Sequence, residues 1–209
     1  SVPTTGGYTG IALAYHHFDV AGLDVVPVTP ERWGDLETLF GRRGAIAGCW
    51  CMWFRHTASE WDWAGGDTRR AEMAGLVAGD ARPGLLGYVD GVPVGWVAVA
   101  PRSEYGRLMS PRARTYRSFD DTPTWVITCF FIAKGHRRSG VAGALLDAAV
   151  DHAAAQGATV IEGYPVDNEG PRQDDHVFTG TLGMFTRAGF VEVQRLHGRP
   201  LVRREVAAG

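Results

Sequence analysis

The sequence predicts an α/β domain, and three observations predict it. Residues 125–164 read as strand, loop, helix and strand in that order. Such units place their two strands parallel, joined by a right-handed crossover. Residues 85–89 and 94–99 are apolar runs flanking Asp90-Gly91, the strongest short-range hairpin signal. The chain has 209 residues, 45% of them hydrophobic and 21% charged, which is ample material for a packed core in one domain.

Taken in order, residues 1–24 are Gly- and Thr-rich and read as an arm preceding a single domain over 25–209. His16 and His17 are adjacent, so on a strand they point apart and do not share a metal. Residues 25–28 suit a first strand. Thr29-Pro30 then reads as N-cap and first helical position. Trp33, Leu36, Leu39 and Phe40 follow at helical spacing, and Gly41 stops the helix. Next comes Gly48-Cys49-Trp50-Cys51-Met52-Trp53-Phe54-Arg55. No second cysteine pair or spaced histidine pair accompanies Cys49 and Cys51, so no metal site is expected. Trp50 and Trp53, with Trp61 and Trp63, either wall the domain or line an acceptor pocket. A second helix is expected over 68–77, ended by Arg82-Pro83-Gly84.

Residues 101–124 are polar, arginine-rich and punctuated by proline. Connections this long are usually functional or mobile. Residues 125–132 form an apolar, β-branched and aromatic run that suits a buried central strand. After the loop at 134–140, Val141, Leu145, Leu146, Ala149, Val150 and Ala153 share one helical face, and Gly157 ends that helix. Residues 160–164 are another strand, 165–177 a polar loop, 179–188 a short helix, 190–194 a strand and 201–206 the last one.

Composition excludes several functions. The formal net charge of −2 lacks the basic excess of a non-specific nucleic-acid binder. No run of about 18 apolar residues is present, so no membrane span is expected. The first residues lack a basic segment followed by an apolar one, so no secretory leader is expected. Three cysteines do not make a disulfide scaffold, and a reducing cytoplasm is the expected compartment. Lys134 is the only lysine; every other cationic chain is arginine.

The chemistry concentrates in Arg137-Arg138-Ser139-Gly140-Val141-Ala142, where strand must turn into helix. The first turn of a helix leaves N–H groups unpaired, and its dipole makes that end positive. A phosphate or pyrophosphate suits such a site. Gly140 and Ala142 keep side chains away, while Arg137 and Arg138 add charge. Gly135 and Gly140 have P-loop spacing, but Val141-Ala142 stand where Lys-Ser/Thr is required, and no G-x-G-x-x-G fingerprint is present. The third reading is a coenzyme A pyrophosphate loop, Arg/Gln-x-x-Gly-x-Gly/Ala. Arg137-x-x-Gly140-x-Ala142 fits it, after a buried strand and before an amphipathic helix, with Ala188-Gly189-Phe190 near the end. On these residues, and on the order of elements over roughly 25–206, the chain resembles the GNAT N-acetyltransferase superfamily.

That resemblance implies a mixed, mostly antiparallel sheet flanked by helices. Its two central parallel strands, here 125–132 and 160–164, would splay around acetyl-CoA. Phe131 and Ile132 would offer backbone groups to the pantetheine arm. The loop residues Arg137, Arg138, Ser139, Gly140, Val141, Ala142 and Gly143 would hold the pyrophosphate, chiefly through the amides of 138–143. The implied reaction is direct acetyl transfer to a primary amine of a small molecule, with acetyl-CoA as co-substrate and no metal. A protein or peptide amine, or an acyl-CoA sensor without turnover, are the alternatives. The expected form is a monomer or homodimer that contacts neither nucleic acid nor membrane.

The chain also departs from the family pattern. Phe185 stands where many members carry a tyrosine that protonates the leaving thiolate. Another group then acts, or the thiolate leaves unassisted, which a thiol of pKa about 8.5 permits. The family's asparagine earlier on this helix is missing, and Thr179 or Thr181 would replace it only in part. Candidate acid–base groups are Glu162 in the splaying strand, Glu104 beside Tyr105, and Tyr164. Glu162 reads equally as an exposed carboxylate or a structural ion pair. Cys129 reads as a small core residue, and His136 as solvated. Asp167, Glu169, Asp174 and Asp175 would draw a cationic amine if their loop borders the cleft; otherwise they are solvated charges.

Overall fold

The computed structural model describes residues 20–79, 81–167 and 177–207. His16, His17, Glu169, Asp174 and Asp175 lie outside them. Strand β1 (Leu23–Pro27) starts two residues before the expected position and pairs antiparallel with β2 (Gly84–Val89). Strand β2 turns through Asp90-Gly91 into β3 (Val92–Pro101), as the dipeptide predicts. Both turn residues take positive φ, 50° and 76°. Strand β4 (Trp125–Ile132) lies beside β3, and β5 (Val160–Gly163) beside β4. Strands β6 (Val191–Leu196) and β7 (Arg199–Glu205) complete a seven-stranded sheet of order β1-β2-β3-β4-β5-β7-β6. Among the strands of the described residues, only β4 and β5 pair in parallel.

Two departures from regularity open the sheet at its centre. Thr128 is an extra residue in β4, because Ala98 faces Cys129 while Val99 already faces Ile127. Such a bulge bends the strand that carries it. The β4–β5 ladder ends at Ile127↔Gly163, and Tyr164-Pro165 follow. Proline has no N–H with which to extend the ladder. Residues 128–132 of β4 therefore run on without β5, which is the splay expected from the resemblance. One carbonyl reaches into that gap: Phe178 O accepts the Phe130 N–H at 2.6 Å.

Helix α5 (Val141–Ala155) covers one face of the sheet. Its Leu145, Leu146, Ala149 and Val150 pack with Val97, Val99, Ile127 and Phe130. Each large side chain buried this way contributes on the order of 2 kcal/mol. The opposite face is covered by α1 (Trp33–Phe40) and α3 (Gly66–Ala78), with Trp50, Cys51 and Met52 wedged between. The intervening α2 (Ala58–Trp63) is not among the elements the sequence predicts. It buries no residue, so it carries no apolar stripe, although its capping box Thr57–Glu60 is visible in the sequence.

The 101–124 excursion is ordered by anchors in its own sequence. Short α4 (Gly106–Met109) is preceded by Tyr105, which is fully buried against Phe54, Ala100 and Leu108. Burial pushes the Tyr105 hydroxyl up to about 12, and does the same for Tyr164. The folded chain keeps these protons where an unfolded tyrosine loses its own near pH 10. Stability from this source is complete below about pH 10 and is lost as pH climbs toward about 12. Urea midpoints measured against pH are expected to hold between about pH 7 and 9 and to fall above about 10. A midpoint still level at about pH 11.5 would refute this account.

Candidate active site

A groove of about 460 Å³ runs along the open end of β4. Phe130, Phe131 and Ile132 form one wall, Gly180, Thr181 and Met184 another, and His136, Arg137, Arg138, Gly140, Ala142 and Gly143 close its end. The loop is built for this shape. Arg138 and Gly140 both take positive φ, 62° and 88°. Gly140 is the N-cap of α5 in the left-handed region, where glycine is favoured. Ser139 Oγ donates to His136 O at 2.6 Å, and Arg137 Nε to Ile132 O at 3.2 Å. The Gly143 and Ala144 amides close onto Gly140 O. Those of Val141 and Ala142 precede the first intrahelical bond, at the positive end of a 15-residue helix. With Arg137, Arg138 and Arg187 on the walls, the end of the groove is cationic. Such an end suits an anion.

Backbone direction alternates along β4. Because the Phe130 N–H faces the open side, so do the backbone groups of Ile132, whose carbonyl meets Arg137. The Phe131 backbone turns toward β3, and its ring packs on Phe40 at 5.5 Å. Pantetheine pairing along this edge would therefore draw on Phe130 and Ile132.

A second cavity, of about 250 Å³, adjoins the groove and shares Ile46, Phe130, Phe131 and Phe178 with it. Its remaining wall is Ala45, Ala47, Cys49, Cys51, Trp53, Trp61 and Cys129. Of the four tryptophans singled out in the sequence, two reach this cavity. Trp50 is buried against Trp33 and Phe40 instead, and Trp63 is exposed. Cys129 is a cavity wall residue, with its Sγ 3.3 Å from Cys51 Sγ. Burial and neighbouring sulfurs raise the Cys49 and Cys51 thiols well above the ordinary value, so both stay protonated. Among the described residues no group of three His, Cys, Asp or Glu side chains is placed to hold a metal ion.

None of the three acid–base candidates lines either cavity. Glu162 is fully buried. Its Oε1 accepts from Arg203 Nη2 at 2.6 Å and Nε at 3.2 Å; its Oε2 accepts from Arg102 Nη1 at 3.3 Å. Thr124 Oγ1 adds a contact at 3.4 Å. This is the ion-pair form of the residue. Tyr164 OH accepts from Arg102 and donates to Tyr116 O at 3.1 Å. Glu104 pairs with Arg55 at 2.8 Å. Thr179 accepts from Arg199 at 3.2 Å, and Thr181 caps α6 (Leu182–Arg187) through the Met184 amide. Asp167 pairs with Arg195.

Phe185 is fully buried, 4.9 Å from the Phe190 ring, and the Gly163 α-carbon leaves room for it. It is a packing residue under β5. Phe185→Tyr is expected to keep kcat within about tenfold while losing about 1–3 kcal/mol, because the new hydroxyl enters an apolar site. Phe185→Leu should act through packing alone. Denaturation curves and single-substrate kinetics on both variants check this. A loss of kcat beyond about a hundredfold in a stably folded Leu variant would place Phe185 in the chemistry.

The sheet thus opens at its parallel β4–β5 pair, with a cationic helix N-terminus at the opening. The model of the acetyltransferase (GNAT) family matches residues 42–170, and the chain belongs to that family. It is thus an enzyme of the acetyltransferase type, in a family that uses acetyl-CoA. No curated protein matches it. Solved structures share the fold at low identity. A structure described as histone acetyltransferase HPA2 and related acetyltransferase, from Corynebacterium glutamicum, is 16% identical at TM-score 0.53, with 90% of this chain and 98% of that one covered. PH1933 from Pyrococcus horikoshii is 12% identical at TM-score 0.52, covering 88% and 98%. Aminoglycoside N-acetyltransferase AAC(6')-Iy, solved in complex with CoA, is 15% identical at TM-score 0.50, covering 83% and 91%. Among the described residues no helix is long and apolar enough to cross a membrane.

Proposed function

We propose that this chain transfers an acetyl group directly from acetyl-CoA to a primary amine of a small molecule. The observation that carries the reading is the Gly140-capped start of α5, set among Arg137, Arg138 and Arg187 at the end of the groove. Pyrophosphate would lie on the amides of 138–143, and the pantetheine arm along Phe130 and Ile132. The thioester would then arrive where groove and apolar cavity meet, at Phe130 and Phe131. Phe130 N–H faces that junction. Released from Phe178 O, it is the donor suited to the oxyanion that develops on attack. Holding both reactants in adjoining cavities supplies much of the remaining acceleration. No acid is needed on Phe185, since the thiolate is a fair leaving group.

The test is CoA release measured with and without added amine, beside acetyl-CoA titration by calorimetry. Amine-dependent release with micromolar binding supports the reading. Tight binding with no release on any amine would make the chain an acyl-CoA sensor. Release on peptides alone would make it a protein acetyltransferase. The working form in this reading is a cytoplasmic monomer or homodimer.

A further inference from the structure

We infer that the apolar cavity beside the coenzyme groove is the acceptor site, and that it selects a primary amine carried on a flat, uncharged ring. The inference rests on the acetyltransferase reading above and adds the substrate class. Size is the first argument. A cavity of about 150 Å³ lined by apolar groups holds benzene, so about 250 Å³ holds one ring or two fused rings with a short side chain.

The wall chemistry is the second argument. Among the described residues none that lines the cavity is charged, and the lining includes the aromatic residues Trp53, Trp61 and Phe178. Polycations need carboxylates on the wall, whereas the charged groups seated on the wall rings Trp53 and Trp61 are two arginines. Arg107 lies 3.9 Å from the Trp53 ring centre and Arg69 3.6 Å from that of Trp61. Arg107 Nε is held by Trp53 O at 2.7 Å; Arg69 is held by Gly48 O at 3.1 Å and Trp61 O at 3.2 Å. A guanidinium already on one ring face takes up the attraction that a second cation would use, and repels that cation directly. A neutral ring suffers neither penalty and stacks on the indoles.

The reactive nitrogen fits the same logic. Attack requires a free lone pair, and desolvation in an apolar site disfavours the ammonium form. The proton is left to water as the amine enters, so no carboxylate is required beside it. The nitrogen lone pair then attacks the thioester carbonyl carbon. The N–C bond forms, the C–S bond breaks, and sulfur leaves with the electron pair. The proton shed by nitrogen reaches sulfur through water, giving amide and free CoA thiol. The backbone of this wall is also unusual: Ala45, Ala47 and Cys51 all hold positive φ without being glycine. Conformations of that kind persist where the surroundings over-determine them, as at binding sites.

The experiment uses the full chain, product detection by mass spectrometry, and separate calorimetry of acetyl-CoA. The acceptors are 2-phenylethylamine, tryptamine, spermidine, kanamycin and a lysine-containing peptide. The expected result is a kcat/KM for the ring amines about a hundredfold or more above the polycations and the peptide. Trp61→Ala should raise the ring-amine KM about ten- to a hundredfold with unchanged acetyl-CoA affinity, and Trp61→Phe should recover most of it. Preferred acetylation of spermidine, kanamycin or the peptide by a chain that binds acetyl-CoA would overturn this inference alone. So would a Trp61→Ala effect confined to long-chain acyl-CoA, which would mean the cavity takes the acyl group. Failure to bind acetyl-CoA would overturn the acetyltransferase reading and this inference with it.

Discussion

Glu162→Gln is expected to cost about 3 kcal/mol of stability while leaving the turnover of the folded enzyme near normal. The carboxylate is fully buried, and both neighbouring guanidiniums are nearly so, with side chains 11% exposed. Glutamine keeps the shape and loses the charge, so Arg102 and Arg203 remain buried with less to neutralise them. The loss falls short of the worst such cases because each arginine keeps other acceptors. Arg203 holds Asp120 at 2.7 Å, and Arg102 holds Leu108 O at 3.1 Å and Tyr116 O at 2.6 Å. For a chain of this length the melting temperature should drop by roughly 6–12 °C. Glu104→Gln is the control. There the carboxylate is 37% exposed although Arg55 beside it is only 6% exposed, and the loss should be smaller, about 1–2 kcal/mol. Thermal melts together with kcat against pH decide the matter. If Glu162 is instead the base that takes the ammonium proton, stability will hold while kcat falls by about 10²–10⁴-fold and the acidic limb of the profile disappears.

Why Glu162 could not be placed from sequence alone is clear from its partners. Arg102, Thr124 and Arg203 lie 60, 38 and 41 residues away. Local patterning shows an acid among apolar neighbours and nothing of the cations folded onto it. The cavity wall has the same origin, since Cys51 meets Cys129 across 78 positions. The choice between Trp53 and Trp50 as wall residues depends on left-handed backbone at 45–51 that no propensity predicts. What local signals do encode was legible. The run 125–132 matches β4 at both ends, because dense β-branched and aromatic residues admit little else. The stripe from Val141 to Ala153 gave α5 its start. Gly140 and Ala142, small residues singled out in the sequence, line the groove. The excursion at 101–124 reads in the sequence only as a long polar connection, because the partners that anchor it are distant. Arg102 is buried at the centre of a hydrogen-bonded network, and Tyr105 is buried in the core beside it.

Gly140→Asp is expected to abolish coenzyme A binding, a loss of about a thousandfold or more in affinity, in a chain that still folds. Three effects act together. The residue holds φ of 88°, which an L side chain adopts only with strain of about 1 kcal/mol. The carboxylate would stand at the start of α5, where the amides of Val141 and Ala142 and the helix dipole favour an incoming anion. It would both occupy those donors and repel the pyrophosphate at close range. The fold tolerates the change because a Cβ there meets only Val20 Cγ2, at 3.1 Å, the far end of an apolar side chain. Gly140→Ala separates the causes. It carries the backbone strain without the charge and should weaken binding by about tenfold or less. Ala142→Glu, one turn position on, should repeat the large loss without the φ penalty, because it adds bulk and charge to the same groove wall. Calorimetric titration of CoA into the three variants, with melting curves run alongside, reads each outcome. Unchanged CoA affinity in a folded Gly140→Asp chain would mean that the coenzyme lies elsewhere, and the acetyl-transfer reading of this groove would fall with it.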